Sequence, residues 1–536
     1  MTGDKIFINA QVLTMDPGCG EANAFAVSGG RFVCVGNKER ALDSIGNTNK
    51  VDIVSLNGKT VVPGFIETHS HLSLYAMALL QANCRTPPNR NIGDVKRQVR
   101  KMIERSEKGE WIRGWGYDDT LIEEKRHLTK HDLDEVAPNN PVFISHTSGH
   151  LAYVNSKALE IAGIKVETPQ PSGGHIEKDQ TGDPTGLLKE DPAINLVLRH
   201  IPPYPVSRLK GAMRKGIKYL HRHGITSAHD AAIGYFRNEK PIIQAYCDFE
   251  REGELSVRVY LTLIERVYRT LLEAGFKTGF GSEFLKLGAV KFFQDGSIQA
   301  LTAALEKPYF CKPGHKGELI YNQDDLNRQI ELYHKEKIQV AVHANGDRAI
   351  ESVLKAFREA MKKYPVENPR HMIIHCQLAT RKQIMEMKGL GIIPSYFVNH
   401  VHFWGDRHKE IFLGPDRASR IDPLATTVNM GLPFTLHSDL PITPVNPLFS
   451  IYCAVNRKTS EGDVLGENER ITPLEALKAY TTYAALCSFE EKIKGSIEVG
   501  KFADFVILSD NPLEVEPERI KDIEVLETYV AGERVF

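Results

Sequence analysis

Two histidines one residue apart, His69 and His71, are the residues of this sequence whose spacing points most directly to chemistry. Side chains alternate in direction along an extended strand, so the two imidazoles point the same way and can converge on one ion. Neutral imidazole is a preferred ligand of zinc and of other borderline divalent metals. Two exposed strand histidines would give the same spacing, but the preceding segment VVPGFIE favours a metal-binding pair.

Further residues that suit a metal follow other apolar runs. His343 follows the run IQVAV, His375 follows MII, and Asp439 ends the segment PFTLHSD. Either histidine alone could equally be a hydrogen-bonded core residue. Together with the first pair they supply four imidazoles, and Asp439 adds a carboxylate that can bind a metal and accept a proton from water.

Lys291 lies within the apolar segment AVKFF, where burial would penalise its ammonium form. A neutral amine can add carbon dioxide and become a carbamate, an anionic donor able to bridge two metal ions about 3.5–4 Å apart. The alternative is a salt bridge from Lys291 to Asp295, which the chemistry of the lysine alone favours. The surrounding ligand set favours the carbamate instead.

The elements that must position these residues alternate between short apolar strands and longer amphipathic helices from about Phe65 to Lys494, which is typical of β/α units around a parallel sheet. Polar residues repeatedly end the strands. This pattern predicts an α/β fold, a (β/α)8 barrel, in which catalytic groups project from the carboxyl ends of the strands. The residues at or near the predicted strand ends are His146, His229, Asp230, Lys291, Asp295, His343, His375 and Asp439.

Composition divides the sequence into three regimes. Residues 1–62 and 495–536 carry strand-like runs separated by turns, so we expect the two ends to pair into one small β-domain. Residues 63–494 are expected to hold the hydrolase barrel. The stretch of about 76–201 is too long for one β/α unit, and we expect it to be an insertion that covers the substrate.

The global composition narrows the class of protein. The chain has 536 residues, 42% of them hydrophobic and 25% charged, with a formal net charge of −1, so nothing points to nucleic acid or an anionic membrane. No run of eighteen apolar residues and no export signal is present. We therefore expect a cytoplasmic globular protein that acts on a small molecule, with no nucleic-acid or membrane partner.

Six segments, in order along the chain, resemble the successive motifs of the amidohydrolase superfamily, and the resemblance covers nearly the whole sequence. These segments are VVPGFIETHSHL, AVKFFQDGS, AVHANGDRAI, MIIHCQ, TLHSDLP and GSIEVGKFADFVIL. Others are similar to the amidohydrolase-3 branch, which includes deformylases of N-substituted formamides: PVFISHTSGHLAYVNSKAL, DPTGLLKE and DGSIQALTAAL. The resemblance implies a distorted (β/α)8 TIM barrel with a small β-sandwich domain formed from both termini.

The resemblance also implies a site and a reaction. It implies that the metal ligands are His69, His71, Lys291, His343, His375 and Asp439, with Lys291 carboxylated and Asp439 as the catalytic base. The implied cofactor is a pair of divalent ions, zinc first, with manganese, iron or cobalt as alternatives. The implied reaction is hydrolysis of the C–N bond of a small amide or N-acyl compound, N-formyl compounds included, through water activated by the metal. The resemblance favours a homodimer.

Three alternative functions are left open by the sequence. Mononuclear deaminases of the superfamily carry a glutamate three residues after the histidine of the fifth strand, where this chain has Gly346. A carbon–oxygen hydrolase, such as a lactonase or carbamate esterase, would use the same centre. A non-catalytic binding module would keep only the scaffold, but a competent residue stands at every implied ligand position, which favours an enzyme.

Several residues are predicted to bind the substrate, and each of them could instead have a purely structural role. Trp115, Tyr396 and Trp404 are aromatic enough to line an organic pocket, or to pack in the core. Arg348 can anchor a carboxylate, or form a salt bridge at the start of a helix. The histidines that can donate a hydrogen bond to a substrate carbonyl, or serve a structural role, are His150, His400 and His402.

Overall fold

The computed structural model of the chain describes residues 4–45, 51–147, 149, 151–235 and 238–536. The chain forms two compact units, one made of Met1–Leu72 with Arg214–Phe536 and the other of Ser73–Met213. Among the described residues, no helix combines the length and apolar character that crossing a membrane requires.

The N-terminal segment forms short strands and one helix before the first strand of the barrel. These elements are β1 (Lys5–Ile8), β2 (Gln11–Val12), β3 (Ala24–Ser28), β4 (Arg31–Gly36), α1 (Lys38–Asp43), β5 (Asp52–Ser55), β6 (Thr60–Pro63) and β7 (Phe65–Ser70). Four of the strands form one sheet in the order β4-β3-β1-β5.

The unit Ser73–Met213 is built on a six-stranded sheet. The elements from Leu72 to Arg222 are α2 (Leu72–Leu79), β8 (Ala82–Asn83), α3 (Ile92–Ile103), β9 (Ile112–Tyr117), α4 (Lys130–Asp134), β10 (Val142–His146), β11 (Leu151–Val154), α5 (Ser156–Ala162), β12 (His175–Lys178), β13 (Pro184–Lys189), α6 (Glu190–Leu198) and α7 (Val206–Arg222). The strand order is β12-β13-β11-β10-β9-β8. The prediction of a barrel strand ending at His146 is wrong, because that strand, β10, pairs with β9 and β11 in this sheet.

The barrel is formed by β7 and seven later strands, all parallel, with helices between them. The later elements are β14 (Ile225–Ile233), α8 (Glu239–Glu252), β15 (Arg258–Ile264), α9 (Glu265–Glu273), β16 (Leu285–Phe293), α10 (Gln323–Lys335), β17 (Val340–Ala344), α11 (Asp347–Lys363), β18 (Met372–His375), α12 (Arg381–Leu390), β19 (Ile393–Tyr396), α13 (Asn399–Arg407), α14 (Pro415–Ala418), α15 (Leu424–Asn429) and β20 (Thr435–Leu436). The strand order is β7-β14-β15-β16-β17-β18-β19-β20.

The two end strands of that sheet meet, which nearly closes the barrel. The Thr68 hydroxyl donates to Thr435 Oγ1 at 2.9 Å, and the backbone N–H of Asp439 donates to the carbonyl of His69 at 3.2 Å. The helices present apolar faces at a spacing of three and four residues. In α11, this buried face includes Ala349, Ile350, Val353, Leu354 and Phe357. The predicted α/β fold with a (β/α)8 barrel is confirmed.

The C-terminal part adds three helices and the last strands. They are α16 (Pro447–Asn456), α17 (Pro473–Ala479), α18 (Thr482–Cys487), β21 (Phe505–Leu508), β22 (Val525–Val530) and β23 (Glu533–Arg534). The final strands join N-terminal ones in a sheet ordered β2-β6-β21-β22-β23. Phe7 of the other terminal sheet packs against Phe505 and Tyr529, with ring centroids 5.1 and 5.4 Å apart. Both termini therefore build one small β-sandwich, and the exact domain boundaries stay predictions.

Candidate metal centre

His69, His71 and Asp439 meet at the carboxyl end of the barrel. His69 Nε2 and His71 Nε2 lie 3.4 and 3.0 Å from Asp439 Oδ1, and the three ligand atoms are all within 4.8 Å of one another. The alternation of β7 aims both imidazoles inward, as the sequence predicts. Two imidazoles and a carboxylate form a donor set that suits a divalent metal ion.

His343 and His375 join this group from two neighbouring parallel strands. Their ring centroids are 4.5 Å apart, and the His375 ring lies 5.5 Å from that of His69. His375 and Asp439 adopt positive φ angles of 70° and 55°. A residue with a side chain keeps such a backbone only where its surroundings hold it there, which is common at functional sites.

Lys291 projects into the same region from β16. Its Nζ is buried, has no hydrogen-bond partner among the described residues, and lies 5.1 Å from the ring centroid of Phe293. Burial lowers the pKa of Lys291 to about 7, while the charge of Asp439 acts in the opposite direction. A buried lysine in this state is poised to be a neutral amine, the form that can take up carbon dioxide.

Asp295 does not form the salt bridge to Lys291 that the sequence left open. Its carboxylate accepts backbone N–H groups of Ala304, Asn345 and Gly346 at 2.9, 3.0 and 2.8 Å, and Oδ1 lies 3.3 Å from His343 Nδ1. Asp295 Oδ1 lies beside His343 Nδ1 without forming a hydrogen bond to it, so the carboxylate is held by the backbone donors and places a negative charge next to that ring.

The protonation of the histidines differs between His71 and the other two, His69 and His375. His71 Nδ1 lies 2.8 Å from the carbonyl oxygen of Ala231, which makes Nδ1 the donor and leaves Nε2 directed at Asp439. Burial is the largest single influence on His71 and acts to lower its pKa, but the hydrogen bond and the charge of Asp439, together with the hydrogen bond to Ala231, raise the pKa overall. Burial holds the pKa of His69 and His375 well below the ordinary range, so both rings are neutral, the state that ligates metals.

Two residues of this region were not singled out from the sequence. The His437 ring lies 5.0 Å from that of His69 and 5.2 Å from that of His375, and burial lowers its pKa to about 3. Glu67 is fully buried, and burial raises its pKa to about 8. The sequence does carry a signal for both residues, because each lies two positions before a predicted ligand and residues two positions apart on a strand point the same way.

The aromatic residues predicted to bind substrate lie in different settings. Tyr396 is fully buried and its hydroxyl is 2.8 Å from Thr427 Oγ1, a position that fits core packing. Trp404 is half-buried, and its ring lies 5.4 Å from that of His400. The His400 ring lies in turn 6.4 Å from the ring of the proposed ligand His375. Trp404 is therefore separated from His375 by the His400 ring.

Two further residues predicted to bind substrate, Arg348 and Trp115, have partners of their own. Arg348 donates to the carbonyl of Gly317 at 2.7 Å near the start of α11. Trp115 lies in the unit Ser73–Met213, where the Arg85 guanidinium is 4.5 Å from its ring centroid. His150 lies outside the described residues, so its predicted role stays a prediction.

A second group of side chains that could bind a metal ion lies in the unit Ser73–Met213. Ligand atoms of Asp118, Asp119 and His146 lie within 4.8 Å of one another, and all three residues are half-buried. Asp119 Oδ1 is 3.2 Å from His146 Nε2 and 3.4 Å from His127 Nδ1. These distances also describe an ordinary polar cluster, in which both imidazoles lie close to one carboxylate.

The barrel and its group of imidazoles, lysine and carboxylate define the class of metal-dependent hydrolases. The model of the amidohydrolase family matches residues 52–536, and the chain belongs to that family. The resemblance expected from the sequence is therefore confirmed.

Relatives extend along almost the whole chain. YtcJ of Bacillus subtilis (strain 168), described by its name as a candidate amidohydrolase, is 32% identical over 522 residues, which cover 96% of each chain. The N-substituted formamide deformylase of Arthrobacter pascens is 30% identical over 550 residues, covering 99% of this chain and 97% of that protein. The crystal structure of an uncharacterised metal-dependent hydrolase from Pyrococcus furiosus matches with a TM-score of 0.78 and 27% identity, covering 95% of this chain and 100% of that chain.

Proposed function

We propose that this protein hydrolyses the C–N bond of a small amide or N-acyl compound, N-formyl compounds included, with the help of bound divalent metal. The observation that carries the proposal is the meeting of His69 and His71 with Asp439 at the carboxyl end of the barrel. The deformylase of Arthrobacter pascens, similar over nearly the whole length of both chains, supports the choice of bond.

We propose that the site holds two metal ions. His69, His71 and Asp439 would hold one, His343 and His375 the other, with a carboxylated Lys291 as the donor they share. Zinc is the first choice because imidazole and carboxylate ligands suit it, with manganese, iron or cobalt as alternatives. Bound there, such ions lower the pKa of a coordinated water towards neutrality and polarise the carbonyl that is attacked.

Carboxylation of Lys291 is supported by the surroundings of its amine. A buried ammonium group without a hydrogen-bond partner is costly, whereas a carbamate brings the negative charge that a group of neutral imidazoles can share through metal. The pKa of about 7 makes the neutral amine available near neutral pH.

Asp439 is the proposed base. Its carboxylate accepts a proton from the attacking water as the new bond to the carbonyl carbon forms, and delivers that proton to the leaving nitrogen as the C–N bond breaks. The products are a carboxylic acid and an amine. The position of Asp439 beside His69 and His71 supports this assignment, because the proton acceptor must lie next to the water.

One observation weighs against a deaminase. A β-carbon at Gly346 would lie 1.9 Å from the carbonyl oxygen of Ala304, so a glutamate cannot occupy this position without moving the backbone. A lactonase or carbamate esterase would use the same residues and is separated only by the substrate. A small-molecule substrate and a homodimer are further proposals that rest on the family resemblance, and a cytoplasmic location is a further proposal that rests on the sequence alone.

The test is a panel of matched amides and esters. Purified protein supplied with divalent metal and bicarbonate is assayed on N-formyl, N-acetyl and aryl amides and on the ester of each acid. Faster hydrolysis of amides than of matched esters, lost in Asp439→Asn, is the expected result. Hydrolysis of esters or lactones alone would replace the proposal with the carbon–oxygen alternative, and no turnover by metal-loaded protein would favour the binding module.

A further inference from the structure

Glu67 carries a buried carboxyl group close to the proposed metal ligands, and the reaction proposed above does not use it. It lies on β7 two residues before His69 and is 0% exposed. One oxygen accepts the backbone N–H of Ser438 at 3.1 Å, and the other accepts the Ser438 hydroxyl at 3.0 Å. Both oxygens are therefore bonded to one residue on the far side of the barrel seam.

Ser438, the hydrogen-bond partner of Glu67, directly precedes Asp439. Asp439 has a φ of 55°, and its own N–H bonds to the carbonyl of His69 at 3.2 Å. Two consecutive residues, Ser438 and Asp439, are thus hydrogen-bonded to β7, one to Glu67 and the other to the His69 carbonyl. These hydrogen bonds stabilise a positive φ angle at Asp439, which is unfavourable for a residue with a side chain.

A further hydrogen bond is made by the carbonyl of Ser438. The Thr443 hydroxyl donates to the Ser438 carbonyl at 2.6 Å and accepts from Asn399 Nδ2 at 3.0 Å. Asn399 is the first residue of α13. Ser438 is therefore fixed through its N–H, its hydroxyl and its carbonyl.

Burial of a carboxylate at this place is costly for the fold. An apolar side chain of similar size would pack without the loss of hydration that a carboxylate suffers, even where the carboxylate is well hydrogen-bonded. What Glu67 provides, and an apolar side chain cannot, is two acceptors for Ser438 at a fixed distance. We propose that Glu67 is a positioning residue, which through Ser438 sets the backbone of Asp439 so that its carboxylate reaches both His69 and His71.

The kinetic part of this inference rests on the proposed hydrolysis, and the spectroscopic part does not. Glu67→Leu removes both acceptors at nearly constant volume. Glu67→Gln keeps an acceptor for the Ser438 N–H and can donate to the hydroxyl, so it preserves the grip. The matched control is Tyr246→Phe, which removes another buried hydrogen bond to a carboxylate of the barrel, 2.7 Å from Tyr246 Oη to Asp230.

We expect kcat of Glu67→Leu to fall about 10–100-fold with KM within about twofold, as found when a residue that orients a ligand is lost. Glu67→Gln and Tyr246→Phe should stay within about threefold of the parent. The absorption spectrum of the Co²⁺-loaded protein should change in Glu67→Leu and not in the other two. This spectrum requires no turnover, so it tests the positioning role even if the amide substrates fail.

Wild-type kcat and an unchanged Co²⁺ spectrum in Glu67→Leu would overturn the inference, even if its Tm were lower. Equal losses in Glu67→Gln and Glu67→Leu would also overturn it, because Glu67→Gln keeps the hydrogen bonds to Ser438 and those bonds could then not explain the loss. If Glu67→Leu does not fold, Ser438→Ala decides: a changed Co²⁺ spectrum supports the role, and an unchanged one overturns it.

Discussion

The imidazole of His71 and the carboxylate of Asp439, 368 positions apart in the chain, lie 3.0 Å from each other where the first and last strands of the barrel meet. Their contact exists only when the barrel is nearly closed, since each residue belongs to one side of the seam. Assembly of the candidate metal centre is therefore coupled to completion of the fold. Metal bound there would stabilise the folded state over the unfolded chain by mass action.

Replacement of the proposed base is the first prediction. Asp439→Asn should lower kcat by about 10²–10⁴-fold, the usual contribution of a positioned acid or base, because the amide cannot accept the proton from water. The measurement is amine release from the best amide of the panel. Asp416→Asn, at an exposed position of α14, is the control and should keep parental activity. Parental kcat in metal-loaded Asp439→Asn would rule out Asp439 as the base.

The second prediction concerns carboxylation of Lys291. Protein prepared with ¹³C-bicarbonate should give a carbamate signal in ¹³C NMR that is missing in Lys291→Ala, because only the neutral buried amine adds carbon dioxide. The same variant should lose about one metal ion per chain. Lys335→Ala, at an exposed position, should keep both the signal and the metal. A carbamate signal that persists in Lys291→Ala would place it on another lysine.

The third prediction is a dependence of stability on pH that arises outside the metal centre. His371 Nδ1 accepts the N–H of Val340 at 3.0 Å, its Nε2 lies 2.9 Å from His334 Nδ1, and His334 Nε2 lies 2.8 Å from the carbonyl of Tyr364. This chain of bonds requires both rings to be neutral. Burial lowers the pKa of both histidines, His371 well below its ordinary range.

Unfolding raises these two pKa values back to about 6.5. The stabilisation is therefore complete above pH ~6.5 and is lost as the pH falls towards the folded pKa values, because the unfolded chain then binds more protons. The Tm of the metal-free protein should fall from pH 7 to pH 5, with a smaller decrease in His371→Gln. An equal decrease in both proteins would exclude the histidine pair as a source.

The fourth prediction concerns the buried ion pair between Arg258 and Asp504. Arg258 Nε and Nη2 donate to the two carboxylate oxygens of Asp504 at 2.6 and 2.9 Å, and both side chains are buried. Asp504→Asn should lower the free energy of unfolding by about 3–5 kcal/mol, because it leaves the guanidinium charge buried without its partner. The exposed pair of Arg31 with Glu283 is the control, where Glu283→Gln should cost about 1 kcal/mol or less. Equal effects in denaturant titrations would contradict this account.

Much of the candidate site could be predicted from the sequence because its residues end apolar runs. His343 and His375 follow such runs, and His69 and His71 have a spacing that a strand converts into convergence. The prediction of Lys291 as a ligand is weaker, since the chemistry of the lysine alone favours a salt bridge to Asp295. The geometry resolves that choice, because the Asp295 carboxylate is occupied by three backbone donors.

The role of the remaining residues depends on which strands become neighbours. Glu67 and His437 matter only once β7 lies beside the chain that follows β20, and local sequence does not specify that pairing. The strand ending at His146 has the same local pattern as a barrel strand, but hydrogen bonds to β9 and β11 place it in the other sheet. Tyr396 is buried in the core, whereas its neighbour Phe397 packs on His437, with ring centroids 5.2 Å apart.

The central claim, a metal centre built from the ends of the barrel strands, is tested most directly by counting metal ions per chain. Elemental analysis of protein expressed with divalent metal and bicarbonate should give about two ions per chain. His69→Ala should give about one or fewer, while exposed Lys335→Ala should retain both. No bound metal in the parent protein, even after reconstitution, would contradict the account.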